Sequence, residues 1–334
     1  MKFPVLPAVG ACLLASALTG CAAFSDDSEP AADGKLTVVT AMYPLQYLAE
    51  RVAGEEADVV SVANPGQDPH DLELTPVQTA TVMDADLVLY EDGMQAALDA
   101  AVDQADGVPT VDAAQSADLV PVEDHESDLV SGDSEEAHEH EHEDGEEDGE
   151  EHADEHEGHD HGDLDPHFWH DPQRMATVAE ALADELSELD PDNADVYAGN
   201  LADFRADLDS VDQEFTQGLA QCRRDVDVVS HDAFGYLTKY GLKFAPIAGL
   251  SPDAEPTPAD LGRLHELIQD EGLTTVFTER LAPPELSEQL AKDEGVDTAV
   301  LDPIEALTDE TADEDYLSLM RENLDALRKA NGCR

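Results

Sequence analysis

Basic residues are scarce in this chain. Its 334 residues include 16 Lys and Arg against 79 Asp and Glu, which gives a formal net charge of −63 at pH 7. A nucleic-acid binder neutralises phosphates with clustered Lys and Arg, so the composition excludes that class and argues equally against a basic protein of membrane surfaces. A polyanion attracts cations instead, and the composition therefore favours metal ions as ligands.

Long apolar runs are also lacking, since none after the N-terminus reaches the 18 residues of a membrane-spanning helix. The N-terminal run, Val5 to Leu18, is itself too short to span and follows Met1-Lys2, a pattern typical of a secretory signal. It ends in Leu18-Thr19-Gly20-Cys21, which resembles the lipobox of bacterial lipoproteins. The resemblance implies that residues 1–20 are removed, that Cys21 carries a lipid anchor, and that the mature protein is extracytoplasmic. An ordinary secretory signal with a chance cysteine is the alternative.

Only four cysteines are present. With Cys12 lost in the signal and Cys21 lipidated, Cys222 and Cys333 are left on the oxidising side of the membrane, and we predict a disulfide between them. A zinc–thiolate site is the weaker alternative, because two lone cysteines lack the C-x-x-C spacing of such sites.

Strand-like and helical patterns alternate through both halves of the chain. This alternation is typical of α/β proteins with a parallel sheet flanked by helices. Residues 21–34, which are polar with Pro30 and Gly34, predict a flexible tether. The predicted strands are Leu36–Thr40, Asp58–Ser61, Asp86–Tyr90, Asp227–Ser230, Lys243–Ile247, Thr274–Thr278 and Thr298–Leu301.

One long helix separates the two halves. Its apolar residues recur at steps of three and four over some six turns, which predicts one continuous buried stripe and a rigid strut. We predict a first lobe at 35–189, the linking helix at 190–221 and a second lobe at 222–334. The stripe consists of Tyr197, Leu201, Phe204, Leu208, Val211, Phe215 and Leu219.

An acidic, histidine-rich tract interrupts the first half. Between residues 123 and 165 there are 22 acidic residues, eight histidines and no Lys or Arg. The stretch 123–163 has no apolar period, so we predict a disordered loop that binds zinc weakly at several sites; a merely solvated acidic linker is the alternative. Its candidate ligands are His138, His140, His142, His152, His156, His159 and His161.

Metal-capable side chains follow several predicted strands. In open α/β sheets, ligands bind beyond the carboxyl ends of strands. Two of the candidates stand in identical Asp-Pro-His tripeptides, and three imidazoles with one carboxylate suit tetrahedral Zn²⁺. The candidate ligands are His70, His167, His231 and Asp302, with Glu279 as second choice for the carboxylate.

These stretches resemble the cluster A-I (ZnuA/TroA-type) metal-binding proteins of ABC importers. The matching segments are Asp68–Pro76, Asp165–Trp169, Ser230–Tyr236, Val276–Glu279 and Leu301–Pro303. The resemblance implies two α/β lobes joined by one long helix, a metal in the cleft, and a tract like the His-rich loop of zinc members. Histidine at 231 is typical of zinc members, whereas many manganese members have glutamate there.

We therefore expect a monomeric, lipid-anchored receptor that captures Zn²⁺ as cargo and passes it to an ABC permease and its ATPase. A manganese receptor, and a surface zinc buffer or adhesin without a permease, are the alternatives. We do not expect an enzyme, because a zinc hydrolase needs an open metal position and a placed general base. Zinc affinity should fall as the pH drops through about 6.5, where free imidazoles take up protons.

Overall fold

A computed structural model describes residues 34–122, 164–252 and 254–334 of the chain. Its first sheet is parallel throughout and has the strand order β2-β1-β3-β4. Helices follow its strands, as the alternation predicts. Its strands are β1 (Leu36–Thr40), β2 (Ala57–Ser61), β3 (Leu87–Tyr90) and β4 (Thr110–Asp112). Its helices are α1 (Tyr43–Ala53), α2 (Pro76–Met83), α3 (Ala96–Gln104) and α4 (Ala113–Ala117).

The second sheet repeats this topology in the order β6-β5-β7-β8, again all parallel. In both sheets the strand order reverses next to the first strand, where a ligand crevice opens in such folds. Its strands are β5 (Val226–Val229), β6 (Lys243–Pro246), β7 (Thr275–Thr278) and β8 (Asp297–Val300). The later helices are α5 (Pro172–Leu189), α6 (Ala194–Leu219), α7 (Pro258–Asp270), α8 (Glu285–Glu294) and α9 (Tyr316–Asn331).

Helix α6 is the predicted long helix. Its 26 residues extend for about 39 Å, and it packs against α1, α5 and α9. Six residues of the predicted stripe are buried and Leu201 is half-buried, so one face of α6 belongs to a core shared with both sheets. The predicted domain boundaries stay a prediction, because residues 35–334 form one compact unit.

Local signals place several helix ends as expected. Thr75 and Thr257 each cap a helix with a reciprocal capping box, and each is followed by a proline at the first helical position. Between β5 and β6 the chain forms a 3₁₀ segment, Gly235–Tyr240, rather than an α-helix. The elements β4 and α4 were not predicted, because at three and five residues they carry little periodic signal.

A disulfide joins Cys222 to Cys333, as predicted. It links the chain after α6 to the chain after α9, and the backbone amide of Arg334 also donates to the carbonyl of Gln221 (3.1 Å). None of the helices in the described part of the chain is long and apolar enough to cross a membrane. The predicted signal, Cys21, all of the tether but Gly34, and the histidine-rich tract lie outside the described residues.

Candidate metal centre

Three histidines that are distant in the sequence meet between the two sheets. His70 lies in the loop after β2, His167 precedes the 3₁₀ segment Phe168–His170, and His231 follows β5. Their ring centroids form a nearly equilateral triangle with sides of 5.4, 5.6 and 5.9 Å. All three are buried.

Glu305 completes this group as a fourth buried residue. One carboxylate oxygen, Oε1, lies 3.2 Å from Nε2 of His70, 3.4 Å from Nε2 of His167 and 3.5 Å from Nε2 of His231. The four side chains can each offer a ligand atom within 4.8 Å of one another. Zn–N bonds near 2.0–2.1 Å in a tetrahedron separate the ligand atoms by about 3.3 Å. The observed spacings therefore suit one tetrahedral ion.

The two Asp-Pro-His tripeptides adopt the same turn. Oδ1 of Asp68 accepts the backbone N–H of His70 (2.8 Å), and Oδ1 of Asp165 accepts the backbone N–H of His167 (2.9 Å). An Asp that binds its own backbone two residues later makes an Asx turn, and the intervening proline pre-sets one backbone dihedral. This is why the repeated tripeptide aims an imidazole in both places.

Another Asp-Pro turn immediately precedes Glu305. Oδ1 of Asp302 accepts the backbone N–H of Ile304 at 2.8 Å. Ile304 has φ +62°, a left-handed conformation that a β-branched residue adopts at a cost of about 1–3 kcal/mol. The backbone carbonyl of Glu305 then accepts the amide of Tyr43 from the first lobe (3.1 Å). The strained residue thus immediately precedes Glu305, whose carboxylate lies close to Nε2 of all three histidines.

Carboxylates orient two of the imidazoles. Asp165 Oδ1 lies 2.9 Å from Nδ1 of His167. Glu279 Oε1 lies 2.7 Å from Nδ1 of His231 and also accepts that residue's backbone N–H at 3.1 Å. A carboxylate that accepts a hydrogen bond from Nδ1 keeps the proton on that atom, and the lone pair of Nε2 is then available to bind a metal. The Nε2 atoms of both rings accordingly face Glu305.

The predicted fourth ligand needs a correction. The structure places neither Asp302 nor Glu279 among the atoms that converge with the histidines. Asp302 is held by an ion pair with Arg280 and by the turn to Ile304, whereas Glu279 supports His231. Glu305 was not among the predicted ligands. It lies two residues after Asp302-Pro303, but the chain contains five Asp-Pro pairs, so this pair alone does not distinguish it.

Electrostatics couple the four side chains. Burial alone would raise the pKa of Glu305, but hydrogen bonds from His167, His231 and His70 hold it well below its usual range. Burial likewise works against charged His167, yet the Asp165 and Glu305 carboxylates raise its pKa to about 9. Burial opposes charge on His231 too, and Glu279 and Glu305 still raise its pKa. Without a metal, protons on these imidazoles offset the buried carboxylates.

Two further buried groups lie near the centre. His170 packs against Phe234, with ring centroids 5.1 Å apart, and burial lowers its pKa to about 3, so it stays neutral. Glu91, after β3, is fully buried, and neither carboxylate oxygen has a hydrogen-bond partner among the described residues. Burial, and then the charge of Asp165, raise the pKa of Glu91 well above its usual value. Neither residue belongs to the converging group.

A cavity of about 630 Å³ lies beside the centre. Its lining includes residues 63–67, from the loop after β2, and residues 305–309, from the chain after β8. Glu305 lines this cavity, whereas the three histidines do not. Glu305 is thus the one member of the converging group that borders this cavity.

This fold and this centre define a two-lobed α/β protein with a buried His₃Glu metal site. The chain matches the family model "ZnuA: Zinc-uptake complex component A periplasmic" over residues 38–330. It is 34% identical to the zinc-binding lipoprotein AdcA of Streptococcus pneumoniae (strain ATCC BAA-255 / R6) over 315 residues, which cover 92% of this chain and 59% of that protein. It is 31% identical to the high-affinity zinc uptake system protein ZnuA of Bacillus subtilis (strain 168), covering 98% of this chain and 97% of that protein.

A solved structure agrees with these matches. The crystal structure of the Zn(II)-bound ZnuA-like domain of S. pneumoniae AdcA superposes with a TM-score of 0.68 at 32% identity, covering 89% of this chain and 99% of that domain. This chain spans about three fifths of the streptococcal AdcA it matches. The chain belongs to the ZnuA family, which confirms the resemblance and the predicted fold class.

Proposed function

We propose that this protein is an extracytoplasmic zinc receptor that holds one Zn²⁺ between its lobes as cargo. The observation that carries this proposal is the convergence of three imidazole nitrogens on one carboxylate oxygen at 3.2–3.5 Å. The ligands are His70, His167, His231 and Glu305. Relatives named as a zinc-binding lipoprotein and as a zinc uptake system protein support the same cargo.

The donor set favours zinc over manganese. Imidazole suits Zn²⁺, whereas Mn²⁺ prefers sites richer in carboxylate and water. Three of the four ligand positions are imidazoles, and two further carboxylates, those of Asp165 and Glu279, bind Nδ1 of imidazole rings rather than facing the centre. A four-coordinate pocket with one carboxylate is small and nitrogen-rich, which suits zinc.

Release of the ion requires a partner, because buried ligands on two lobes do not let the ion go unless the lobes separate. We propose that this partner is an ABC permease with its ATPase, and that the protein works as a monomer anchored through lipid on Cys21. The B. subtilis relative, named as part of a zinc uptake system, supports a transport role. The lipoprotein name of the streptococcal relative supports the anchor.

The histidine-rich tract at 123–163 has a separate role in this proposal. Its imidazoles stand among many carboxylates, which favour their protonated form, so zinc competes with protons there and binds more weakly than in the cleft. We propose that the tract collects zinc near the lobes and raises the local supply. Leu164, the first described residue after the tract, lies three positions before His167.

Elemental analysis and calorimetry test the central site. Purified protein should retain one tightly bound zinc both with residues 123–163 and after their deletion. His231→Ala should lose that zinc. His265→Ala is the matched control, because His265 is half-exposed on α7 and contacts Glu294 away from the lobe interface. Loss of all tight zinc on deletion of 123–163, or unchanged binding in His231→Ala, would disprove the cleft site.

Competition and uptake separate the alternatives. Manganese in large excess should not displace zinc from the intact protein; displacement at comparable concentrations would favour a manganese receptor. Cells that lack this protein should take up less radioactive zinc at low zinc concentration. Normal uptake in such cells, together with tight zinc binding in vitro, would favour a surface zinc buffer or adhesin.

A further inference from the structure

The chain enters and leaves segment 123–163 at one place. The backbone amide of Asp165 donates to the carbonyl of Val120 at 2.9 Å, and Pro121 and Leu164 form an antiparallel β-bridge. We call residues 120–121 and 164–165 the neck. Because the two ends are paired, a change at one end moves the other.

A tyrosine from the second lobe binds both sides of the neck. The hydroxyl of Tyr236 donates to the carbonyl of Asp165 at 2.8 Å and accepts the backbone N–H of Val120 at 3.3 Å. Tyr236 lies in the 3₁₀ segment between β5 and β6 and is only 3% exposed. One oxygen atom therefore joins the neck, which belongs to the first lobe, to the second lobe.

The same neck residue acts directly on a metal ligand. Asp165 is 2% exposed, and its Oδ1 accepts the backbone N–H of His167 and lies 2.9 Å from Nδ1 of that ring. The carbonyl of Asp165 thus binds Tyr236 while its carboxylate binds His167. Any displacement of the Asp165 backbone tilts the imidazole that it supports.

We propose that Tyr236 is a positioning residue for the metal site, whose hydroxyl holds the neck in place and thereby fixes Asp165 and the imidazole of His167. The inference rests on the proposed zinc site and adds to it a contact between the lobes. Zinc binding and the geometry of the neck are then coupled, because the hydroxyl bonds form only when both lobes are together. The neck therefore responds to whether the cleft holds an ion.

The hydroxyl matters because the carbonyl of Asp165 that accepts its bond is buried, whereas the amide of Val120 is partly buried. Removing the hydroxyl takes one bond from each of these two groups, and a buried polar group that loses a partner destabilises the folded state. The chain relieves that cost by shifting the neck, and Asp165 moves with it. The aromatic ring has a different contact, with the Arg174 guanidinium 5.2 Å from its centroid, which phenylalanine retains.

Tyr236→Phe in the full chain tests this role, with Tyr240→Phe as the matched control. Tyr240 lies in the same 3₁₀ segment, and its hydroxyl also donates one bond, to Asp212 at 2.8 Å. Both variants should unfold at slightly lower temperature without zinc. Only Tyr236→Phe should bind zinc more weakly, by about tenfold in competition with a chelator, as expected when the support of a metal ligand is loosened. Equal zinc affinities in the two variants would overturn the proposal.

A double-mutant cycle separates positioning from general destabilisation. Asp165→Asn should weaken zinc binding by itself, and adding Tyr236→Phe should cost little more, because both changes act on the same imidazole. If the losses in zinc affinity from the two substitutions are additive, the proposal is overturned, even if Tyr236→Phe alone binds zinc more weakly.

Hydrogen exchange of the unaltered protein provides a measurement that needs no variant. Zinc should slow exchange of the Val120 amide, whose acceptor lies on the other lobe. An exchange rate at Val120 that is the same with and without zinc contradicts the proposed coupling. If the wild-type protein does not bind zinc tightly in the cleft, the proposed function itself is refuted. If it binds zinc tightly and Tyr236→Phe has the same affinity, only this inference is refuted.

Discussion

The carboxylate of Glu305 lies 3.2 Å from the imidazole of His70, although the two residues are 235 positions apart in the chain. His70 follows β2 in the first sheet, and Glu305 follows β8 in the second. The contact is therefore made across the lobe interface. It shows how a divalent ion between these residues would hold the two sheets together.

Glu305→Gln should weaken zinc binding by at least about tenfold, because the amide removes the only carboxylate from the converging group. Chelator competition at neutral pH measures the change. Asp302→Asn is the control: asparagine keeps the side-chain oxygen that accepts the Ile304 amide. Its zinc affinity should stay close to that of the wild type, within about threefold. A greater loss in Asp302→Asn than in Glu305→Gln would restore Asp302 as the ligand.

Glu279→Gln should weaken zinc binding without changing the number of ligands. The glutamine can still accept the Nδ1 proton of His231 but no longer supplies a negative charge, and such changes behind a metal-bound histidine cost about 10–100-fold in affinity. The visible spectrum of the cobalt-loaded protein should keep the form of a tetrahedral site. A spectrum that loses this form would mean that Glu279 coordinates the ion directly.

Asp227→Asn should stabilise the protein at neutral and alkaline pH. Asp227, on β5, is 3% exposed, and burial raises its pKa to about 7 despite two hydrogen bonds from Nδ2 of Asn331. Oδ1 of Asn331 is buried and has no hydrogen-bond partner among the described residues. An asparagine at 227 can donate to that oxygen while still accepting from Nδ2.

The pH dependence of this effect follows from proton linkage. Between about pH 4, the ordinary pKa of an aspartate, and pH 7, the folded state holds a proton on Asp227 that the unfolded chain has lost, so the free energy of unfolding falls as the pH rises. The advantage of Asp227→Asn should grow across this range to at most about 4 kcal/mol and stay constant above it. Urea unfolding of zinc-free protein at pH 4.5 and 8 measures the difference; an advantage that is equal at both values would contradict the assignment.

Replacing Cys222 and Cys333 with serine should lower the free energy of unfolding by up to about 4–5 kcal/mol. The disulfide joins residues that are 111 positions apart, and the loss of that cross-link increases the entropy of the unfolded chain. Zinc affinity should change little, because neither cysteine belongs to the converging group. Denaturant titration under oxidising and reducing conditions checks the first expectation, and an equal midpoint in both would refute it.

Local patterns were sufficient for most of the secondary structure. The apolar stripe of α6 and the capping threonines Thr75 and Thr257 each depend on neighbours a few residues away, so they can be read directly. The three histidines were also recognisable, because two of them share the Asp-Pro-His turn and His231 directly follows a strand. Short elements such as β4 were missed because three residues show no period.

The carboxylate ligand, Glu305, could not be predicted from local patterns. Asp302, Glu279 and Glu305 are all acidic and all follow strands of the second sheet, so residue type and strand position do not separate them. Their roles differ because Asp302 forms an ion pair with Arg280, and Glu279 binds Nδ1 of His231. The left-handed turn at Ile304 directs Glu305 to the imidazoles. Local sequence was enough for the elements, the cysteine pair and the imidazoles. The choice among the three carboxylates depends on which cation or ring each one contacts, and only long-range packing brings those partners together.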